Sequence, residues 1–173
     1  MSPHKNKTRG NKAEARIVSA LSDSTGEKFA RSPGSGSANT WGYFAGQRVR
    51  GDLMCLSNPE FEFMVESKKT KDFPWDLLFT ANPPADFVNW WTKAKDDATK
   101  DDKFAALVIS RNQGPMVIFT AAVAWQGLGM DVKHANARLM FRNKQLLVTT
   151  VEQFGLAYKE RSKRENRHNG HAD

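Results

Sequence analysis

Two carboxylates and a lysine, Asp52, Glu66 and Lys68, stand on two predicted strands that are consecutive in the chain. Residues 49–56 and 61–68 each have strand character, and the Asn-Pro sequence between them predicts a turn. Because side chains alternate along a strand, Glu66 and Lys68 lie on one face of the second strand. The hairpin therefore brings reactive groups together on one sheet.

The pairing register of this hairpin decides how close the two carboxylates lie. Excluding four turn residues places Asp52 opposite Val65, and a slip of one residue places it opposite Glu66. Asp52 and Glu66 are near neighbours in both registers. Mg²⁺ prefers such oxygen ligands, and a nearby lysine can stabilise negative charge during phosphodiester hydrolysis. The alternative interpretation is a solvated hairpin face with a cross-strand salt bridge.

A helix ahead of the hairpin carries another acidic residue. Apolar residues recur at helical spacing from Ala13 to Leu21, and Gly26 marks the expected end of the helix. Glu14 lies at the border of the apolar stripe, from which its carboxylate can face inward. In isolation, a first-turn acid favoured by the helix dipole explains Glu14 equally well.

A second helix is predicted after Pro83-Pro84. Asp86 is expected to cap it, and Phe87 and Ala94 mark its buried side. Lys93 lies beside that side.

The remaining patterns predict strands and a final helix. Thr149 and Glu152 form a capping-box signal for a short last helix, and residues 32–37 form a Gly/Ser-rich loop. Strands besides the hairpin are predicted at 28–31, 104–110, 116–120, 137–141 and 145–149. This order favours a mixed α/β domain with a central sheet.

Four features follow one another in a specific order: Glu14 on a helix, the segment 31–37 that reads Arg-Ser-Pro-Gly-Ser-Gly-Ser, Gly51-Asp52, and Glu66-Ser67-Lys68. This set resembles the PD-(D/E)XK nuclease superfamily, and within it the archaeal-type Holliday junction resolvases and related small phage-encoded nucleases. The resemblance covers residues 12–73 well. It implies an α/β fold with a restriction-endonuclease-like core, in which helices flank a central mixed β-sheet.

The resemblance also implies roles for individual residues. Asp52 and Glu66 would ligate Mg²⁺, for which Mn²⁺ can substitute, and the backbone carbonyl of Ser67 would be a third ligand. Glu14 would ligate a metal directly or through water, and Lys68 would be the catalytic lysine. Ser67 departs from the family pattern, because the middle residue is usually apolar.

Further residues would contact the DNA. Ser35 or Ser37 would lie close to the scissile phosphate, and Ser35 is counted with the catalytic residues, since a glycine-rich loop lets phosphates approach backbone amides. Trp41, Tyr43 and Phe44 either stack on exposed bases or pack on the core. The residues predicted to contact DNA are basic or belong to the glycine-rich loop: Arg31, Ser35, Ser37, Arg48, Arg50, Lys69, Lys71 and Lys93.

Composition and charge fit one domain with basic ends. The 173 residues are 39% hydrophobic and 26% charged, as in globular proteins. The net charge of +7 lies mainly at the two ends. We therefore predict a basic tail over residues 1–11, one nuclease domain over 12–158 and a second basic tail over 159–173. Such tails bind a polyanion or only increase solubility.

Several classes of protein are excluded. The single cysteine, Cys55, excludes a disulfide scaffold and a multi-thiolate zinc site, and the four histidines do not cluster. No phosphate-binding or dinucleotide-binding glycine motif supports ATP or NAD chemistry. With no membrane span or secretory signal in this sequence, we expect a cytoplasmic protein, which for a phage-encoded nuclease means the host cytoplasm.

These observations predict a Mg²⁺-dependent, structure-selective DNA endonuclease, namely a Holliday junction resolvase that acts as a homodimer on four-way junctions. The alternative enzyme is a relative that cuts other branched or duplex DNA. The alternative from a different class is a catalytically silent nucleic-acid-binding protein. Such a protein would be free to lose the acidic and lysine residues, all of which are present.

Overall fold

The helices provide the outer layers of the fold. The computed structural model describes residues 3–33, 42–44, 47–80, 82–111 and 114–169. Its α-helices are α1 Pro3–Thr25, α2 Ala85–Thr99, α3 Ala122–Gly127 and α4 Val151–Asn169, and its 3₁₀ helices are Trp75–Phe79 and Val132–His134. No helix in the described part of the chain is long and apolar enough to cross a membrane.

The strands form one large sheet and one small ribbon. They are β1 Phe29–Arg31, β2 Gly42–Phe44, β3 Gln47–Val49, β4 Leu53–Cys55, β5 Phe63–Lys69, β6 Phe104–Ser110, β7 Val117–Ala121, β8 Ala137–Phe141 and β9 Lys144–Thr150. The seven-stranded sheet has the order β1-β4-β5-β6-β7-β9-β8, and β2 pairs with β3 separately. Only β5 and β6 are parallel, so α2 serves as the crossover connection between them.

Each face of the large sheet is covered by a separate apolar core. Val65 belongs to the core that holds α1 and α4 against one face, and Met64 belongs to the core that holds α2 against the other. Side chains alternate along β5, so Glu66 lies on the same face as Met64 and points towards the α2 side. The mixed sheet between helices confirms the predicted α/β class.

Most predicted elements are present, with corrected ends. The strands at 104–110 and 137–141 have the predicted bounds, and α1 ends directly before Gly26, whose φ of +80° suits a glycine after a helix. The prediction that Asp86 caps α2 is wrong, because the N-cap is Pro84 and Asp86 lies in the first turn.

The last helix is longer than predicted and begins one residue later. Thr150, rather than Thr149, accepts a hydrogen bond from the backbone N–H of Gln153. α4 then continues to Asn169 through residues that the charge pattern assigns to a tail. Its apolar residues as far as Tyr158 pack on α1 and the sheet, and beyond them Arg161 forms ion pairs with Glu62 and Glu165.

Candidate active site

Asp52 is placed by a glycine that no other residue could replace without strain. Gly51 has a φ of +82°, and a Cβ atom there would lie 2.6 Å from Met64 Sδ and 2.7 Å from the Val65 carbonyl oxygen. The Asp52 N–H donates to that same carbonyl at 2.9 Å. The register pairs Leu53 with Val65. Of the two predicted registers, the structure therefore has the slipped one, which brings Asp52 beside Glu66.

Ser67 holds the carboxylate of Asp52. Its backbone N–H donates to Asp52 Oδ2 at 2.8 Å, and its hydroxyl donates to the same oxygen at 3.1 Å. The serine that departs from the family pattern thus supplies a second hydrogen bond. Burial raises the pKa of Asp52, the nearby charge of Glu66 raises it further, and the Ser67 hydrogen bond only partly offsets these effects.

Glu66 is a buried carboxylate with two ammonium partners. Its side chain is 5% exposed, and its Oε1 accepts from Lys68 Nζ at 2.7 Å and from Lys93 Nζ at 3.2 Å. Lys68 follows Glu66 on the same face of β5, whereas Lys93 reaches across from α2. Two positive charges at one oxygen offset the cost of burying this carboxylate.

Lys93 also contacts Asp97 on its own helix. The Nζ to Oδ2 distance is 3.2 Å, and the two residues are one helical turn apart. Partial burial lowers the pKa of Lys93, but the charges of Glu66 and Asp97 outweigh it, so the pKa is raised overall. Lys93 is therefore held as a cation beside the carboxylates.

Glu14 and Arg31 form the third side of the site. Arg31 Nε donates to Glu14 Oε2 at 2.5 Å, which links α1 to β1. The charge of Glu14 contributes to the raised pKa of Asp52, so Glu14 lies close enough to act on that carboxylate. The backbone N–H of Ser32 donates to the Asp52 carbonyl at 2.9 Å and ties the end of β1 to the same place.

The carboxylates have the donor atoms that a divalent cation requires. Both Ser67 hydrogen bonds end on Asp52 Oδ2, and both lysines bind Glu66 Oε1. Within the described residues, Asp52 Oδ1 and Glu66 Oε2 accept no hydrogen bond. A group of three or more His, Cys, Asp or Glu arranged to hold a metal is not found in that part of the chain. The pair Asp52 and Glu66 fits a cation that takes its other ligands from water or substrate.

Arg50 has a different position from the one predicted. Its side chain is 7% exposed, and its Nε donates to Asp101 Oδ1 at 2.5 Å. The guanidinium is thus buried in an ion pair and is not an exposed cation of the kind predicted for this residue. Arg50 instead anchors the chain just before Gly51-Asp52 to the turn after α2, which makes it a positioning residue.

The other predicted DNA contacts fall into two groups. Lys69, the last residue of β5, and Lys71, which follows it, are both exposed. The remaining predictions lie outside the described residues, either entirely or in their side chains: Ser35, Ser37, Trp41, Tyr43, Phe44 and Arg48.

The sequence patterns did not single out three residues around the site. Asp97 was detectable from its spacing of four residues to Lys93, and Asp101 had no local signal. Arg111 directly follows β6, the strand parallel to β5. Since parallel strands end at the same sheet edge, its position after a buried strand was the available signal.

Comparison with known proteins places the chain in a family. The model of the family described as phage putative PDDEXK endonuclease matches residues 5–163. No curated protein and no solved structure matches the chain. The matched range contains the whole seven-stranded sheet and the cluster around Asp52 and Glu66. The chain therefore belongs to the phage PDDEXK endonuclease family, and its fold is of the restriction-endonuclease-like α/β class.

Proposed function

We propose that this nuclease is a Mg²⁺-dependent endonuclease that hydrolyses phosphodiester bonds in branched DNA, with the four-way junction as its main substrate. The observation that carries the proposal is the buried Glu66 carboxylate, which two lysines contact beside the hydrogen-bonded carboxylate of Asp52. A purely structural salt bridge needs one cation, not two cations and a second, partly buried acid.

Asp52 and Glu66 would hold the ion through the oxygens that accept no hydrogen bond from the described residues. When bound, Mg²⁺ supplies Lewis-acid stabilisation of the phosphate charge and lowers the pKa of a water molecule. Hydrolysis adds a water oxygen to phosphorus and breaks the bond from phosphorus to one ester oxygen, and the proton that the water loses goes to that leaving oxygen or to solvent.

The chain's own cations act on the charge that develops at phosphorus. Lys68 Nζ lies 2.7 Å from Glu66 Oε1, so its ammonium is beside the place where the phosphate must bind. A fixed positive charge there stabilises the transition state, because the phosphate oxygens become more negative as water attacks. Arg31, which Glu14 orients, would hold the DNA backbone at the neighbouring position.

The preference for junctions and the homodimer rest on the order of the motifs. Glu14, Arg31, the glycine-rich loop and the Glu66-Ser67-Lys68 strand follow one another as in archaeal-type junction resolvases. A four-way junction is symmetric and needs two paired cuts, which a dimer with two sites supplies.

The test uses labelled four-way junction, flap and linear duplex with the same arm sequences. We expect the protein to bind the junction most tightly and, with Mg²⁺, to introduce symmetric nicks in two strands of like polarity. Without divalent metal it should bind but not cut.

Other results would identify the alternatives. Equal cutting of junction and duplex would make the protein a general nuclease. Cutting of flaps alone would assign a different branched substrate. A wild-type protein that binds but never cuts with Mg²⁺ or Mn²⁺ would contradict the enzymatic proposal.

A further inference from the structure

A basic depression lies on the α2 side of the sheet, beyond the ends of β5 and β6. It has a volume of about 400 Å³ and is lined by Lys71, Asp72, Phe73, Pro74 and Arg111. Its one acidic residue, Asp72, is 83% exposed and lies 3.8 Å from Lys71 Nζ, so the two form only a weak surface pair.

Arg111 differs from the arginines that hold the fold together. Arg31, Arg50 and Arg161 each bond to a carboxylate, whereas the guanidinium of Arg111 stacks on Trp75 at 5.1 Å from the ring centroid. Within the described residues Arg111 has no acidic partner, and its buried Nε has no hydrogen-bond acceptor. Stacking on an aromatic ring fixes a guanidinium without neutralising it.

The ring beneath Arg111 is itself held firmly. Trp75 stacks on Phe119 at 6.4 Å with an angle of 12° between the rings, and it contacts Phe73 edge-on at 4.8 Å. Phe73 in turn stacks on Trp90 of α2. These ring contacts hold Trp75 in place, and Trp75 in turn fixes the position of the Arg111 guanidinium.

The depression lies on the same face of the sheet as Glu66. Leu107, the partner of Glu66 in the parallel ladder, packs in the same core as Phe73. Arg111 is four residues further along than Leu107, which is about 13 Å along a strand. One DNA strand rises about 3.4 Å per nucleotide, so this length corresponds to a few nucleotides.

We propose that this depression binds one backbone phosphate of the DNA a few nucleotides from the scissile bond, with Arg111 as its main ligand and Lys71 as a second cation. The proposal rests on the proposed function, since it takes DNA bound at Glu66 as the substrate. A planar guanidinium that pairs with no carboxylate in the described part of the chain matches the paired oxygens of a phosphate.

The test compares Arg111→Ala with Arg138→Ala, which removes an exposed arginine from the edge strand β8. Affinity for the labelled junction is measured in EDTA between about 50 and 200 mM salt. For Arg111→Ala we expect a log-log salt slope that is lower by about 0.9, as for one lost phosphate contact. Its Kd should rise about tenfold. Arg138→Ala should match the wild type.

A second measurement locates the phosphate and guards against misfolding. Single methylphosphonates remove the charge of one phosphate at a time on either side of the cut. A methylphosphonate at one position should strongly weaken DNA binding by the wild type and leave DNA binding by Arg111→Ala unchanged. Arg111→Lys keeps the charge but not the planar stack, so it should retain the salt slope and lose part of the affinity. Thermal unfolding of each variant checks that it is folded.

The results separate this proposal from the proposed function. An unchanged salt slope and Kd in folded Arg111→Ala, or equal methylphosphonate effects in both proteins, would overturn the phosphate subsite even if the wild type cuts junctions. A different result is a wild-type protein that never cuts DNA but in which one methylphosphonate weakens binding only when Arg111 is present. This result would support the phosphate subsite and contradict the proposed cleavage activity.

Discussion

Glu66 is buried against two lysines, and the difference between these lysines is informative. The side chain of Lys68 is 27% exposed to solvent, whereas that of Lys93 is 59% exposed. Lys93 also forms an ion pair with Asp97. A charge in a less solvated place acts more strongly on a nearby phosphate. We therefore assign the larger catalytic effect to Lys68.

Substitution of each lysine tests this ranking. Lys68→Ala should lower the single-turnover cleavage rate by about 100-fold or more, as for the loss of one preorganised donor. Lys93→Ala should lower it by less than about tenfold, because Asp97 and solvent already weaken its field. Both variants should still bind junctions. A larger loss for Lys93→Ala would reverse the assignment.

The raised pKa of Asp52 predicts a pH-dependent cost to stability in metal-free protein. Burial, Glu66 and Glu14 disfavour the ionised form in the folded state. The folded protein then holds a proton that the unfolded chain releases. The free energy of unfolding therefore falls as pH rises from about 3.8 to the folded-state value, and stays lower above it.

Asp52→Asn removes this cost and keeps an oxygen that can accept from Ser67. In EDTA at neutral pH the variant should unfold at a higher temperature than the wild type, and the difference should disappear below the pH window. Asp96→Asn, an exposed change on α2, is the control. Equal stability of Asp52→Asn and wild type across the whole pH range would contradict the electrostatic description of the site.

Much of the site was predictable at the scale of residues, for a physical reason. The period of two along a strand and the short turn before Phe61 suffice to bring Glu66 and Lys68 near Asp52. Local sequence patterns do not predict the contact between Arg50 and Asp101, because these residues are 51 positions apart in the chain. Their contact depends on how α2 packs, so sequence reasoning assigned Arg50 to DNA instead.

At the scale of elements, the turn at Gly51 connects fold to site. Gly51 has a left-handed backbone conformation, and this turn places the Asp52 N–H so that it donates to the Val65 carbonyl. It also places the Asp52 carboxylate where it accepts a hydrogen bond from Ser67. The turn needs both the positive φ and the absence of a Cβ, because Met64 and the Val65 backbone fill the space.

Gly51→Ala should therefore lower the free energy of unfolding by at least about 2 kcal/mol and reduce cleavage further by displacing Asp52. Gly127→Ala is the matched control, since a Cβ at Gly127 meets nothing within 4 Å. In α3 that change should stabilise by about 0.5 kcal/mol. Chemical denaturation measures both. A Gly51→Ala variant as stable and active as the wild type would contradict the structure of the turn.

The elements themselves were predictable where burial follows local pattern. The strand at 104–110 is apolar as far as Ile109 and has the predicted bounds, because it is covered on both faces. The six-residue α3 was missed, since its sequence is as apolar as a strand and too short to show a helical period. The hairpin register required tertiary information about Gly51.

At the scale of the whole molecule, the basic C-terminal segment is partly structural. Arg161 forms ion pairs with Glu62 and Glu165, and Arg164 Nη2 donates to the Gly129 carbonyl at 2.9 Å. The contact with Glu62 ties α4 to the residue before β5, and the contact with Gly129 ties it to the segment after α3. Arg161 thus serves packing, and we propose phosphate binding as the use of exposed positions such as Lys163.

Two substitutions separate those uses. Arg161→Ala should cost about 2 kcal/mol of stability, because it leaves the partly buried Glu62 without its cation. Lys163→Ala should change stability by less than about 0.5 kcal/mol, since Lys163 is exposed. The salt dependence of DNA binding by Lys163→Ala should be weaker than that of the wild type, because one phosphate contact is lost. An unchanged salt dependence would mean that Lys163 only increases solubility.

The central claim is that Asp52 and Glu66 hold the metal with which this endonuclease cuts branched DNA. The most direct measurement is single-turnover cleavage of a labelled four-way junction in Mg²⁺ by the wild type, Asp52→Asn and Glu66→Gln, each shown to be folded and to bind the junction. We predict symmetric nicks by the wild type and no detectable cleavage by either variant, because each has lost an anionic ligand of a hard cation. Cleavage by both folded variants at the wild-type rate would show that the active site lies elsewhere.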